Sequence, residues 1–287
     1  MDNPAEKDWD IEITAKNNLF DLKLKDVWQY RDLLILLVRR DFVSFYKQTI
    51  LGPIWFFVQP IITILIYTLV FNNLANIKTG EIPAPLFYLA GTIIWNYFSD
   101  CLTKTSSVFK DNAGMLGKVY FPRLIMPLSI VLSNLIRFAV QFILFLLLMA
   151  YYGVSGKLQA PNAIILLFPL LIIIIAALGL GLGMMISAVT TKYRDLTFVI
   201  AFGVPLLMYA TTVIYPLKAA VLKYPAYSWI IKYNPITSVI ETFRYGFLGE
   251  GSYSWELFGY AIAITVIILM IGTLIFNRVE KTFVDTV

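Results

Sequence analysis

Histidine is absent from all 287 residues. With it go imidazole-ligated metal sites and Ser-His-Asp triads. One cysteine, Cys101, leaves no partner for a disulfide within the chain. Charge is scarce at 14%, against about 25% in soluble domains. Hydrophobic residues reach 59% and the mean hydropathy is +0.75. So few charges cannot build a water-facing surface, so lipid must be the solvent for much of the chain. A phosphate-binding loop is missing too. Residues 114–118 read GMLGK, with two residues between the glycines instead of four and Val119 where Ser or Thr should follow the lysine. ATP binding by this chain is excluded on that ground.

What is present is long apolar runs. Crossing ~30 Å of hydrocarbon takes roughly 20 helical residues, and helix is the conformation that satisfies its own backbone in lipid. The expected fold is an all-α membrane protein with six transmembrane helices, at about 54–73, 83–103, 124–153, 162–189, 196–216 and 257–277. The second is the weakest. Together they form a transmembrane domain over 54–277, flanked by tails at 1–26 and 278–287. Residues 1–26 are polar with no apolar core, so no signal peptide is read there. Sixteen Lys and Arg fall on the side of the N-terminus and six on the other, with Arg137 inside a span. That asymmetry puts both termini in the cytoplasm of a multi-pass inner (plasma) membrane protein.

Two segments depart from a plain six-helix pattern. Residues 27–47 mix Trp28, Tyr30, Phe42, Phe45 and Tyr46 with Arg31, Arg39, Arg40 and Lys47. Such a mixture suits an amphipathic helix in the headgroup layer, either a simple anchor or a surface for a cytoplasmic partner. Residues 218–250 hold two apolar pieces separated by Asn234-Pro235, too short to span. In the second piece Ile236, Val239, Ile240, Phe243 and Phe247 share a helical face, and Glu241 and Arg244 stand three apart, in pairing distance. Their length suits short re-entrant or interfacial helices before the last span, which read either as ordinary surface helices or as a re-entrant outer gate over 218–250 with Pro235, Glu241, Phe243 and Arg244.

Single residues carry the remaining signal. Arg137 lies 13 positions after Leu124, roughly 20 Å along a helix. Such a charge either pairs with a carboxylate such as Asp100, or snorkels, or meets an anionic substrate. Tyr67, Phe71, Trp95 and Phe98 belong to interfacial belts or line a pathway along which sugar rings slide. Gly179 and Gly183 have small-xxx-small spacing for close helix packing. A membrane enzyme acting on lipid-linked sugars would have Asp100, Glu241 and Glu250 as its candidate carboxylates.

Four motifs occur in order: LGPIWFFVQP (51–60), YFPRLIMPLS (120–129), KYRDL (192–196) and NPITSVIETFRYG (234–246). As a set they resemble the permease subunits of ABC transporters that export polysaccharides and polyol phosphates, over roughly residues 20–280. The resemblance implies six transmembrane helices, a homodimer, and one cytoplasmic ATPase subunit per permease chain. It implies ATP and Mg on that ATPase and no cofactor in this chain. The amphipathic helix, with Arg31 and Arg39, would contact the ATPase. A coupling helix at about 110–118 would carry Lys110, Asp111, Asn112, Met115, Leu116 and Lys118. The cargo would be a lipid-linked glycan: O-antigen, capsule or teichoic acid. A permease for a drug or small lipid is the alternative with the same helix count.

Overall fold

The computed structural model describes residues 24–47, 49–116, 121–193 and 195–283. Helices and their connections account for all of these, with no strand among the described residues.

The segment at 27–47 is two helices rather than one: α1 (Leu24–Gln29) and α2 (Arg31–Tyr46), which meet at Tyr30 with φ −92° and ψ 22°. Leu37 is buried, Leu33 and Leu34 pack beside it, and Arg31 and Arg39 stay exposed. A 3-10 turn at Gly52–Ile54 leads into α3 (Trp55–Tyr67), which contains Pro60 and ends in a π-helical stretch at Thr68–Leu74.

Helix α4 (Ala84–Ser106) is the central post. It packs against α3, α7 (Ile125–Val154), α8 (Phe168–Lys192), α9 (Leu196–Leu207) and α12 (Pro235–Leu248). Sixteen of its 23 residues are buried. Protein shields it from lipid, so it tolerates Asn96, Asp100 and Lys104, which is why this run is the weakest apolar signal. Two short helices follow, α5 (Val108–Asp111) and α6 (Ala113–Leu116).

Helix α8, entered through a 3-10 turn at Ala163–Leu167, is clamped between α4 and α13 (Trp255–Phe283). Gly179 and Gly183 face α4: a Cβ on Gly179 would lie 2.9 Å from Cys101 Cβ and one on Gly183 2.6 Å from Thr105 Cβ. Gly181 faces the other way, where its Cβ would lie 2.9 Å from Leu269 Cα, and Gly272 of α13 abuts the Gly181 carbonyl. The small-residue spacing therefore serves packing, on two sides of the helix.

Among the described residues four helical stretches are long and apolar enough to cross a membrane: Gly52–Leu74, Ile125–Val154, Ala163–Lys192 and Trp255–Val279. Leu196–Ala210 is apolar but shorter. The run expected to be helical to Pro216 breaks early: α9 gives way to a 3-10 turn at Met208–Ala210, and Thr211 is extended at φ −123° and ψ 168°. Pro205 inside α9 weakens the last turn. The remainder, α10 (Leu217–Lys223), a 3-10 turn at Pro225–Tyr227 and α11 (Ser228–Lys232), forms three short pieces before α12, because Pro225 interrupts the first apolar run. Finally α13 continues through Phe283, past the start of the expected C-terminal tail at 278.

Buried residues fall into two clusters. The larger joins α4, α7, α8 and α12 around Phe142, Phe145, Phe168, Phe243 and Phe247. The smaller surrounds Leu37, Phe109 and Phe276 at the opposite end, where Phe109 stacks on Phe276 at 4.6 Å.

Candidate functional site

Two polar nodes interrupt this apolar bundle, one at each end. At the α12 end the break after Ala210 leaves backbone carbonyls that no helix uses. Arg244 takes them: Nη1 donates to Thr212 O at 2.6 Å and Nη2 to Val213 O at 2.9 Å, while Nη2 also donates to Phe87 O of α4 at 3.2 Å. The guanidinium also lies 3.5 Å from the Phe87 ring centroid. Its Nη1 meets Glu241 Oε1 at 3.4 Å, and Glu241 Oε2 accepts from Ser252 N at 2.9 Å. Both side chains are buried, at 1% and 5% exposed. The pair expected from the i, i+3 spacing is thus present, but as an internal rivet rather than a surface bridge. A charged group so placed persists only with this many partners.

Helix α12 itself opens on Pro235 behind Asn234, whose side chain accepts from Ile236 N at 3.0 Å. It closes at Gly249 with φ 76°. Twelve of its fourteen residues are buried, Phe243 among them. Phe243 therefore belongs to the aromatic core, not to an open mouth of the single chain. Beyond α12, Glu250 accepts from Glu81 N at 3.2 Å, and Gln159 donates to Glu81 Oε2 at 3.1 Å.

The second node lies between α2, α4, α5 and α7, around a cavity of about 490 Å³ lined by Arg40, Asp41, Lys104, Asp111, Ser133, Asn134 and Arg137. Arg137 Nη1 pairs with Asp100 Oδ2 at 2.8 Å, with side chains 12% and 41% exposed. The guanidinium sits 5.6 Å from the Phe56 ring centroid, and Phe56 stacks on Phe42 of α2 at 5.9 Å. The carboxylate partner anticipated for Arg137 is therefore there, and the arginine also faces a polar cavity. Lys104 is half-buried in α4 and donates to Asn134 Oδ1 at 3.0 Å. Sequence reasoning passed over Lys104, Asn134 and Gly91. The signal available for the first two was their polarity inside otherwise apolar helices.

The remaining candidates are spread out. Tyr67 and Phe71 meet edge-on at 5.3 Å, and Tyr67 contacts Tyr88 at 6.0 Å. Trp95 and Phe98 lie 5.5 Å apart on α4, both buried. The structure does not bring these four to Arg137, and it sets α12 at the other end of the bundle from α5 and α6. On those two helices Lys110 and Asp111 are exposed, Asp111 accepting from the Ser107 hydroxyl, while Asn112 donates to Val108 O at 3.0 Å and Met115 packs on the smaller core cluster. Lys118 lies outside the described residues, and for Leu116 only the backbone is described.

Comparison with known proteins supplies the context. The family model described as ABC-2 type transporter matches residues 32–248. The O-antigen export system permease protein RfbA of Myxococcus xanthus is 29% identical over 265 residues, covering 92% of this chain and 98% of that protein. The protein of the same name from Klebsiella pneumoniae is 27% identical, covering 88% and 94%. The polysialic acid transport protein KpsM of Escherichia coli is 22% identical, covering 82% and 89%.

Proposed function

From the premise that this chain belongs to the ABC-2 type transporter family, we propose that it is the permease subunit of an ATP-driven exporter of a lipid-linked polysaccharide. The observation that carries the reading is similarity along nearly the whole length to O-antigen export permeases, with KpsM agreeing at lower identity. The cargo is an O-antigen-like glycan or capsule polymer carried on a lipid, moved from the cytoplasmic leaflet outward. The membrane is the inner membrane, with both termini cytoplasmic. Six passes complete the topology: α4 and the shortened α9 join the four long apolar stretches.

The working unit is a homodimer with two ATPase subunits. ATP and Mg are assigned to the partner, whose closure supplies the energy, because the run GMLGK at 114–118 departs from the phosphate-loop pattern. Exposed Lys110 and Asp111 on α5, with Asn112, Met115, Leu116 and Lys118, face that subunit, joined by Arg31 and Arg39 on α2. Differential affinity of nucleotide for the two permease states biases the motion. Arg137, Tyr67, Phe71, Trp95 and Phe98 belong to the pathway in the dimer. Pro235, Glu241, Phe243 and Arg244 belong to the outer gate.

The three carboxylates named above as candidates for a membrane enzyme each have a partner: Asp100 has Arg137, Glu241 has Arg244 and Ser252, and Glu250 has the Glu81 backbone. This supports a transport subunit over a catalyst. The deciding experiment purifies the chain from its native membrane, identifies what comes with it, and follows surface polymer after deletion. An ABC ATPase in the complex and polymer retained inside the deleted cells are expected. Normal surface polymer without the chain would overturn the reading.

A further inference from the structure

Burial sorts the polar groups around the cavity of about 490 Å³ between α2 and the bundle. At its base Asn134 is 1% exposed, the Arg137 side chain is 12% exposed and Lys104 is half-buried. At its rim Arg40 and Asp41 of α2 are 46% and 28% exposed and bridge each other at 2.8 Å. Asp111 of α5 is exposed and accepts from the Ser107 hydroxyl. Asp100 is the third carboxylate nearby, and it pairs with Arg137. The base thus offers donors, while the lining carboxylates stand outward and are already engaged. Asn134 is the decisive residue. Lys104 can only donate, so the oxygen of the Asn134 amide must face it. That fixes Nδ2 in the other direction, where it is buried and finds no oxygen acceptor among the described residues. A buried donor left unpaired is costly, so the site is complete only when an acceptor arrives.

We propose that this cavity binds the phosphate of a lipid headgroup, held by Asn134 Nδ2, Lys104 and Arg137. The inference deepens the export reading and rests on it for the passage of a lipid-linked cargo. One water would satisfy Nδ2, but it would leave two cations lining the same space without an anion. Phosphate oxygens serve all three donors, and bonds between charged partners are the strong ones. The volume lies within the range of small-ligand pockets, roughly 300–1,000 Å³, so it holds more than a single phosphate. The route of entry points to a lipid. Helix α2 covers the cavity and exposes Trp28, Ile35 and Leu36 beside Arg31 and Arg39, the mixture of a helix lying in the headgroup layer. Phe42 and Ile130 add apolar walls. The phosphate has two sources with the same chemistry, a bilayer phospholipid and a pyrophosphate-linked carrier.

The test measures equilibrium binding to the purified transporter complex in detergent, with ADP present throughout to fill the ATPase. The probes are farnesyl pyrophosphate, dioctanoyl phosphatidylglycerol and inorganic pyrophosphate. At least one lipid phosphate should bind saturably and at least tenfold more tightly than inorganic pyrophosphate. Preference for farnesyl pyrophosphate assigns the site to a carrier, and preference for phosphatidylglycerol assigns it to a bilayer lipid. Asn134→Asp keeps the shape and the contact with Lys104 but replaces the unpaired donor by an acceptor. Lys104→Gln removes the charge and keeps a donor for Asn134 Oδ1. Each should weaken the lipid probe at least tenfold with an unfolding midpoint near that of the wild type. Lys157→Gln, the same loss of charge beside Glu81 and Gln159, should leave binding unchanged. No saturable binding to the wild-type complex would overturn the site. So would equal binding in Asn134→Asp and Lys104→Gln, and inorganic pyrophosphate binding as tightly as the lipids would overturn its assignment to a lipid. If deletion leaves surface polymer normal, the export reading fails while probe binding is still measured. If export is confirmed and no probe binds, this inference alone fails.

Discussion

Gly91 and Arg244 compete for one space: a Cβ built on Gly91 would lie 2.8 Å from Arg244 Nη2 and 3.0 Å from both the Cα and the carbonyl oxygen of Val213. Neither neighbour gives way cheaply. Val213 is backbone, and the guanidinium is held by carbonyls on two elements. Gly91→Ala should therefore cost about 1–3 kcal/mol of stability, the usual range for overpacking. A fall in the midpoint of thermal unfolding in detergent checks it, and Gly91→Leu should fall further.

The rivet should behave as a unit. Glu241 and Arg244 share a contact at 3.4 Å and are both buried. Removing one charge leaves the other unpaired, which costs about 3–5 kcal/mol. Arg244→Met should accordingly destabilise strongly. The pair Arg244→Met with Glu241→Gln should cost less than the two singles added, by about 0.5–3 kcal/mol of coupling. Additive losses in unfolding measurements would mean that the carbonyl contacts, not the ion pair, carry the effect.

Helix positions were legible because their apolar runs are long: α7, α8 and α13 lie within a few residues of the expected spans over most of their length. The Glu241–Arg244 pairing was legible from spacing, and the Arg137–Asp100 pair from the cost of an intramembrane charge. What was not legible depends on contacts distant in sequence. Nothing local marks Thr212 and Val213 as carbonyls waiting for an arginine some thirty positions on. The break at Thr211 is tolerated because Arg244 repays it, so apolarity alone carried the expected span to Pro216. Likewise α4 looked weak because hydropathy assumes lipid around a helix that is surrounded by protein.

The glycines of α8 and α13 give a paired control. Gly272 abuts the Gly181 carbonyl, while a Cβ on Gly259 of the same helix would meet nothing within 4 Å. Gly272→Ala should push α13 from α8 and destabilise by about 1–3 kcal/mol. Gly259→Ala should be neutral or gain up to about 1 kcal/mol from helix propensity. Equal effects in detergent unfolding would show that the close approach of α8 and α13 does not govern stability.

Arg137 separates packing from transport. Its bond to Asp100 at 2.8 Å predicts that Arg137→Gln and Asp100→Asn each weaken the chain modestly, because Asp100 is 41% exposed and keeps water when its partner is lost. The cavity of about 490 Å³ beside Arg137, lined also by Arg40 and Lys104, predicts something different for export. Arg137→Gln should lower surface polymer tenfold or more with the chain still inserted at its normal level, because a neutral amide keeps the size but not the charge that an anionic lipid-linked cargo meets. Asp100→Asn, which keeps the arginine, should lower export far less. The measurement is surface polymer by immunoblot alongside membrane levels of the chain. Normal export in Arg137→Gln at normal levels would reduce the residue to its pair with Asp100, and equal losses in the two variants would assign the defect to the broken pair rather than to the missing charge.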